Sequence, residues 1–182
     1  FNKLIVELQQ YLPDLGKHLA IDSKAVKSVA KKSGKCKRND GKADNRGEHD
    51  ADYGVKKKYG TKEDGTAWEK LTSWFGFKLH LIVDSVYELP LAFDVQKAST
   101  SDMTNLLPLL GSLAEKHPDI VEGCETLSAD KGYDSGQNNS ELFDRYGVKP
   151  VIDIRCMRKE DKTFLFDPSK PDNVVYNEKG QV

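Results

Sequence analysis

Two aspartates close short apolar runs in this chain: His18-Leu19-Ala20-Ile21 ends in Asp22, and Thr126-Leu127-Ser128-Ala129 ends in Asp130. A buried strand that carries a carboxylate to a sheet edge has this pattern. A carboxylate so placed either offers hard oxygen donors to a cation or caps backbone N–H groups at a strand end. Lys78 and His80 lie on the strand face opposite an apolar stripe, which suits phosphate contact, ligand orientation or plain solvent exposure. Lys131, Tyr133 and Asp134 follow Asp130 directly, either beside a passing nucleic-acid strand or in a solvated turn leading to a helix. Arg155 ends the last apolar run, with a phosphate or a neighbouring acid as its partner. Cys36, His49, Asp50 and Asp52 have the spacing of no recognised metal site.

The elements that would position these residues follow from periodicity. Leu4, Ile5, Leu8 and Leu12 predict an amphipathic lead-in helix within residues 1–17, stopped by Pro13 and Gly16. Residues 18–22 form the first strand. From residue 24 to about residue 66 the chain lacks sustained periodicity and predicts a long, partly mobile excursion. Alternation of Phe75, Phe77, Leu79, Leu81 and Val83 with polar neighbours predicts a strand from Trp74 to Asp84 with the aromatic stripe in the core. Phe75 and Phe77, with Trp68 and Trp74, are therefore expected to pack rather than stack on bases. Leu89, Leu91, Phe93 and Val95 share a face of a second strand, joined to the first as a hairpin. A helix should run from the Ser99–Asp102 caps to His117-Pro118, with Pro108 kinking it or marking its first turn. A strand at 126–129, a helix at 140–146 and a strand at 148–154 then read as a parallel crossover.

At 182 residues, with 37% hydrophobic and 31% charged side chains, the chain suits one soluble folding unit. It holds no apolar run of membrane-spanning length. Three scattered cysteines argue against a disulfide framework and favour a reducing cytoplasm. The net charge of −1 hides an asymmetry: residues 24–64 carry +6, among them Lys56, Lys57 and Lys58, leaving −7 elsewhere. That separation suggests a polyanionic partner for the basic segment, or a solvated loop. The chain opens with Phe1 and has no signal-peptide pattern, so it reads as a fragment or an excised domain.

The wording of these segments is specific in combination. Leu19-Ala20-Ile21-Asp22-Ser23, Trp74-Phe75-Gly76-Phe77-Lys78-Leu79-His80-Leu81-Ile82-Val83-Asp84 and Glu88-Leu89-Pro90-Leu91-Ala92-Phe93 come first. Ala98-Ser99-Thr100-Ser101-Asp102, Leu127-Ser128-Ala129-Asp130-Lys131-Gly132-Tyr133-Asp134 and Pro150-Val151-Ile152-Asp153-Ile154-Arg155 follow. In this order the chain resembles the DDE transposases of bacterial insertion sequences. The resemblance implies an α/β, ribonuclease-H-like mixed sheet over residues 18–155, with the basic excursion after strand one. It further implies that Asp22 and Asp130 are the first two of three metal-binding acids, with Mg²⁺ or Mn²⁺ as cofactor. Two such ions about 3.5–4 Å apart activate an attacking oxygen and neutralise a leaving one. DNA is then the implied partner, both transposon ends and target, and a homo-oligomer in the bacterial cytoplasm, at the nucleoid, would hold the two ends. Residues implied at the DNA are Lys56, Lys57, Lys58, Lys78, His80, Lys131, Tyr133 and Arg155. The family's third acid, a Glu in a Tyr-x-x-Arg-x-x-x-Glu pattern, has no match here, and residues 156–182 read as the start of an insertion preceding it. A nuclease on the same fold, or a remnant that binds DNA without catalysis, remain the alternatives.

Overall fold

The computed structural model describes residues 1–30 and 47–154. Helix α1 (Asn2–Tyr11) leads into strand β1 (His18–Lys27), followed by β2 (Asp52–Thr61), β3 (Ala67–Asp84) and β4 (Pro90–Lys97). Helices α2 (Asp102–Lys116) and α3 (Pro118–Glu122), strand β5 (Thr126–Ala129), helix α4 (Gly136–Asp144) and strand β6 (Lys149–Ile152) complete the order. The six strands form one mixed sheet in the order β2-β3-β1-β5-β6, with β4 also paired to β3. β1 runs antiparallel to β3 and parallel to β5, and β5 runs parallel to β6.

Helices pack on one face of this sheet. Leu19 and Ile21 of β1, Ile82 of β3 and Leu127 of β5 meet Leu106, Leu109, Leu110 and Leu113 of α2 and Leu142 of α4 in the core. Ile5 of α1 is buried in the same cluster, so the lead-in helix shares the core of the sheet. Full burial of one such Leu or Ile stabilises by roughly 1.5–3 kcal/mol.

The aromatic stripe of β3 is not the core face, contrary to its alternation. His80, Ile82 and Asp84 point under the helices and are buried, whereas Phe75, Phe77, Leu79, Leu81 and Val83 are only half-buried on the far side. The cause is one-sided layering: among the described residues no helix covers the far side. Phe93 and Val95 of β4 share that side and stand more than half exposed, at 55% and 51%. A register shift at Ile82/Val83 returns Leu91 to the core.

The excursion is shorter than its composition predicts. β1 continues to Lys27, and β2 pairs along its whole length with the first half of β3, forming a ribbon. Residues 31–46 and 155–182, which include Arg155, Cys36 and the expected insertion, lie outside the described residues. Pro108 sits inside α2 on its exposed side rather than at its start, and Pro118 opens α3 instead of ending order.

Candidate functional site

β1 and β5 are neighbours, and their last registered pair is Ile21 with Ala129. Asp22 and Asp130 are the next residue on each strand. Beyond this point β5 ends while β1 stays paired with β3 as far as Lys27, so the sheet forks where both carboxylates stand. Both aspartates are exposed. Oδ1 of Asp22 accepts a 2.7 Å bond from the amide of Ser23, and Oδ1 of Asp130 accepts a 2.8 Å bond from the amide of Gly132. Asp84 presents the opposite behaviour: it is fully buried, and its carboxylate accepts from the amides of Gly16, Val86 and Tyr87 at 2.7–2.8 Å. Asp84 thus uses both carboxylate oxygens on backbone amides, whereas Asp22 and Asp130 each accept one adjacent amide and stand exposed.

A buried polar cluster backs the Asp130 loop. Tyr133 and His80 are both 0% exposed, and the Tyr133 hydroxyl lies 3.1 Å from His80 Nδ1. Burial, and then the charge of Asp102, hold the Tyr133 phenol well above its ordinary pKa, so it remains an O–H donor. Burial also lowers the His80 pKa, against the opposing charge of Asp102, which keeps the ring neutral near pH 7. We assign the ring proton to Nε2, which points toward Asp102 Oδ1 at 3.9 Å. Asp102 in turn pairs with Lys78 Nζ at 2.9 Å, and Lys78 also donates to the Thr100 carbonyl at 2.7 Å. Asn138, at the start of α4, ties the Tyr133 and Met103 carbonyls together at 2.8 and 2.9 Å.

This cluster contains three of the residues expected beside DNA. His80 and Tyr133 are fully buried and face one another beneath the loop that carries Asp130. Lys78 pairs with Asp102 and the Thr100 carbonyl and lines the groove beside Asp130. Asp102 itself, read in sequence only as a helix cap, approaches Asp130 across Gly132: a Cβ on Gly132 would come within 2.7 Å of the Asp130 carboxylate and 3.4 Å of that of Asp102. Ser101 is the N-cap instead. No linear spacing signalled Asp102, because its partners Lys78 and His80 reach it from a different element.

An open groove of about 430 Å³ runs from Asp130 and Asp102 past Ser23 to Lys27, Lys56 and Lys58. Lys57 lies on the opposite side of β2 and pairs with Glu69 at 3.4 Å. Lys131 is exposed beside Asp130. Two exposed carboxylates at one strand fork are a donor set that fits a hard divalent cation. Among the described residues, however, no group of three His, Cys, Asp or Glu side chains converges to hold one.

The profile of the transposase DDE domain family matches residues 14–177. Over 82 residues the chain is 35% identical to a Burkholderia cepacia protein described as a transposase for insertion sequence element IS402. That match covers 42% of this chain and 37% of the relative, so the chain spans well under half of the curated protein it resembles. No solved structure matches it.

Proposed function

Because the chain belongs to the transposase DDE domain family, we propose that it forms the part of a DNA transposase that contributes the metal-binding carboxylates Asp22 and Asp130. The observation that carries this reading is the fork: two adjacent parallel strands end their pairing one residue before each Asp. The order β4-β3-β1-β5-β6, with its first two pairings antiparallel and the rest parallel, supports the ribonuclease-H-like architecture. Bound Mg²⁺ or Mn²⁺ would supply the charge that DNA strand cleavage and strand transfer require. The chain's own residues hold the geometry. Asp22 is fixed by a central strand, and Asp130 by a loop that Tyr133, His80 and Asn138 pin from below. The basic side of the molecule faces DNA, and at least two copies are needed to hold two transposon ends.

The lack of a third convergent acid among the described residues favours a second statement: this 182-residue chain alone does not join DNA strands. Mn²⁺ should still bind weakly and raise the melting temperature by mass action, and Asp22→Ala and Asp130→Ala should each remove the gain. A metal-dependent shift that survives both substitutions would discard the site. In any form of the protein that cleaves transposon-end DNA with Mn²⁺, the same substitutions should abolish that cleavage.

A further inference from the structure

The ribbon of β2 and β3 has two unlike faces. Cross-strand partners Gly54 and Trp74, Lys56 and Thr72, Lys58 and Lys70, and Gly60 and Trp68 share one side. Three lysines stand there with no ion pair among the described residues, and two of them, Lys58 and Lys70, are directly opposed. Like charges in that position destabilise a ribbon unless something neutralises them. The other side carries Val55, Tyr59 and Leu71, and its Lys57 is already neutralised by Glu69.

Tryptophan brackets the lysines. The Trp74 ring lies over Gly54 and the Trp68 ring over Gly60, each in contact with the glycine. Each pair fills the place of a missing side chain with an aromatic ring. The basic side is continuous with the groove that reaches Lys27, Asp102 and Asp130. It stops before the tip, where Glu63 and Asp64 occupy the turn closed by Lys62 and Thr66. Positive charge therefore runs along one face from near the tip to the carboxylates.

We propose that this Lys56/Lys58/Lys70 face is a one-sided DNA-binding arm that lies along the phosphate backbone of a duplex and leads it toward Asp130. A two-stranded ribbon has the width to follow a DNA groove, and its lysines would displace condensed counterions. The assignment of DNA as the polyanion rests on the transposase reading, whereas the one-sidedness rests on the register alone.

The chain's two tryptophans, Trp68 and Trp74, both lie on this face, so intrinsic fluorescence reports the proposed surface and no other. A random-sequence DNA duplex titrated into the chain should change the emission, with affinity falling steeply as salt rises. Lys56→Gln, Lys58→Gln and Lys70→Gln should each lower the slope of log affinity against log salt by about 0.9. Lys57→Gln should leave it unchanged, and Lys58→Arg should restore it. Circular dichroism establishes that each variant is folded. An equal loss with Lys57→Gln would overturn the proposal in favour of a diffuse charge effect. DNA binding seen by anisotropy without any tryptophan change would place the contact elsewhere and overturn it too. Poly-glutamate that matches DNA at equal charge would replace the nucleic acid with an acidic protein partner. A Mn²⁺-dependent rise in melting temperature that Asp22→Ala and Asp130→Ala remove, together with uniform salt slopes, would sink the arm and leave the proposed metal site. Face-selective slopes without that rise would do the reverse.

Discussion

Three aspartates at strand ends separate by what their oxygens touch. Asp84 spends its carboxylate on three backbone amides under the helices, while Asp22 and Asp130 each accept one local amide in solvent. Asp84→Ala would strand the buried Gly16 amide and loosen the part-buried turn amides of Val86 and Tyr87, so chemical denaturation should show a loss of about 1–3 kcal/mol, set mainly by the Gly16 donor. Asp22→Ala should cost nothing in the absence of metal and is expected to stabilise slightly by removing like-charge repulsion. Nothing in the sequence distinguishes these aspartates, since all three follow apolar strand residues; only the loops that close over Asp84 do so. Cys124 makes a second residue-scale case. Burial pushes its thiol up to about 11, so a thiol reagent at pH 8 should modify it only after denaturation. His117 is buried between α2 and α3, and burial, with Lys116 adding to it, lowers its pKa as burial lowers that of His80. A histidine with a depressed folded pKa takes up more protons when unfolded, so its stabilisation is present above about pH 6.5 and fades as pH falls below that ordinary value. Melting temperature should drop between pH 7 and pH 5.5, and His117→Gln should reduce the drop.

At the scale of elements, periodicity located β1, the sheet half of β3, β4, α1, α2 and β5 within a few residues, because each buries a patterned face. It missed β2, whose run of lysines between glycines carries no apolar alternation and whose partner strand alone makes it extended. It also turned β3 the wrong way round. Alternation reveals that a strand has two faces, but which face is covered depends on where the helices pack, and here polar side chains paired with one another occupy the covered side. Gly76 marks where β3 passes from sheet to ribbon. Its φ of +152° and the collision a Cβ would make with the Val26 carbonyl exclude any side chain. Gly76→Ala should therefore destabilise the chain measurably in a urea melt and loosen the pairing of β1 with β3, whereas Gly136→Ala, in open space within α4, should stabilise by up to about 1 kcal/mol.

On the scale of the whole molecule, helices of the described residues cover one sheet face and leave the other open. Phe93, Val95 and Val151 stand on the uncovered side with about half their surface exposed. An apolar patch of that kind promotes association, so Val95→Lys should lower light scattering of concentrated samples without lowering the melting temperature. The family was legible from wording spread along the chain, and it was that resemblance, not strand-end position, that singled out Asp22 and Asp130. The buried Lys78–Asp102–His80–Tyr133 cluster was not legible, because it is assembled from three separate elements. The fork between β1 and β5 has a consequence for hydrogen exchange. Leu19, Ala20 and Ile21 are bonded on both sides, to β3 and to β5, whereas residues from Ser23 onward are bonded to β3 alone. Amide protons should thus be retained longest up to Ile21 and lost progressively faster beyond it. Asp22 stands at that boundary, anchored by doubly bonded backbone on one side and open on the side where the sheet forks.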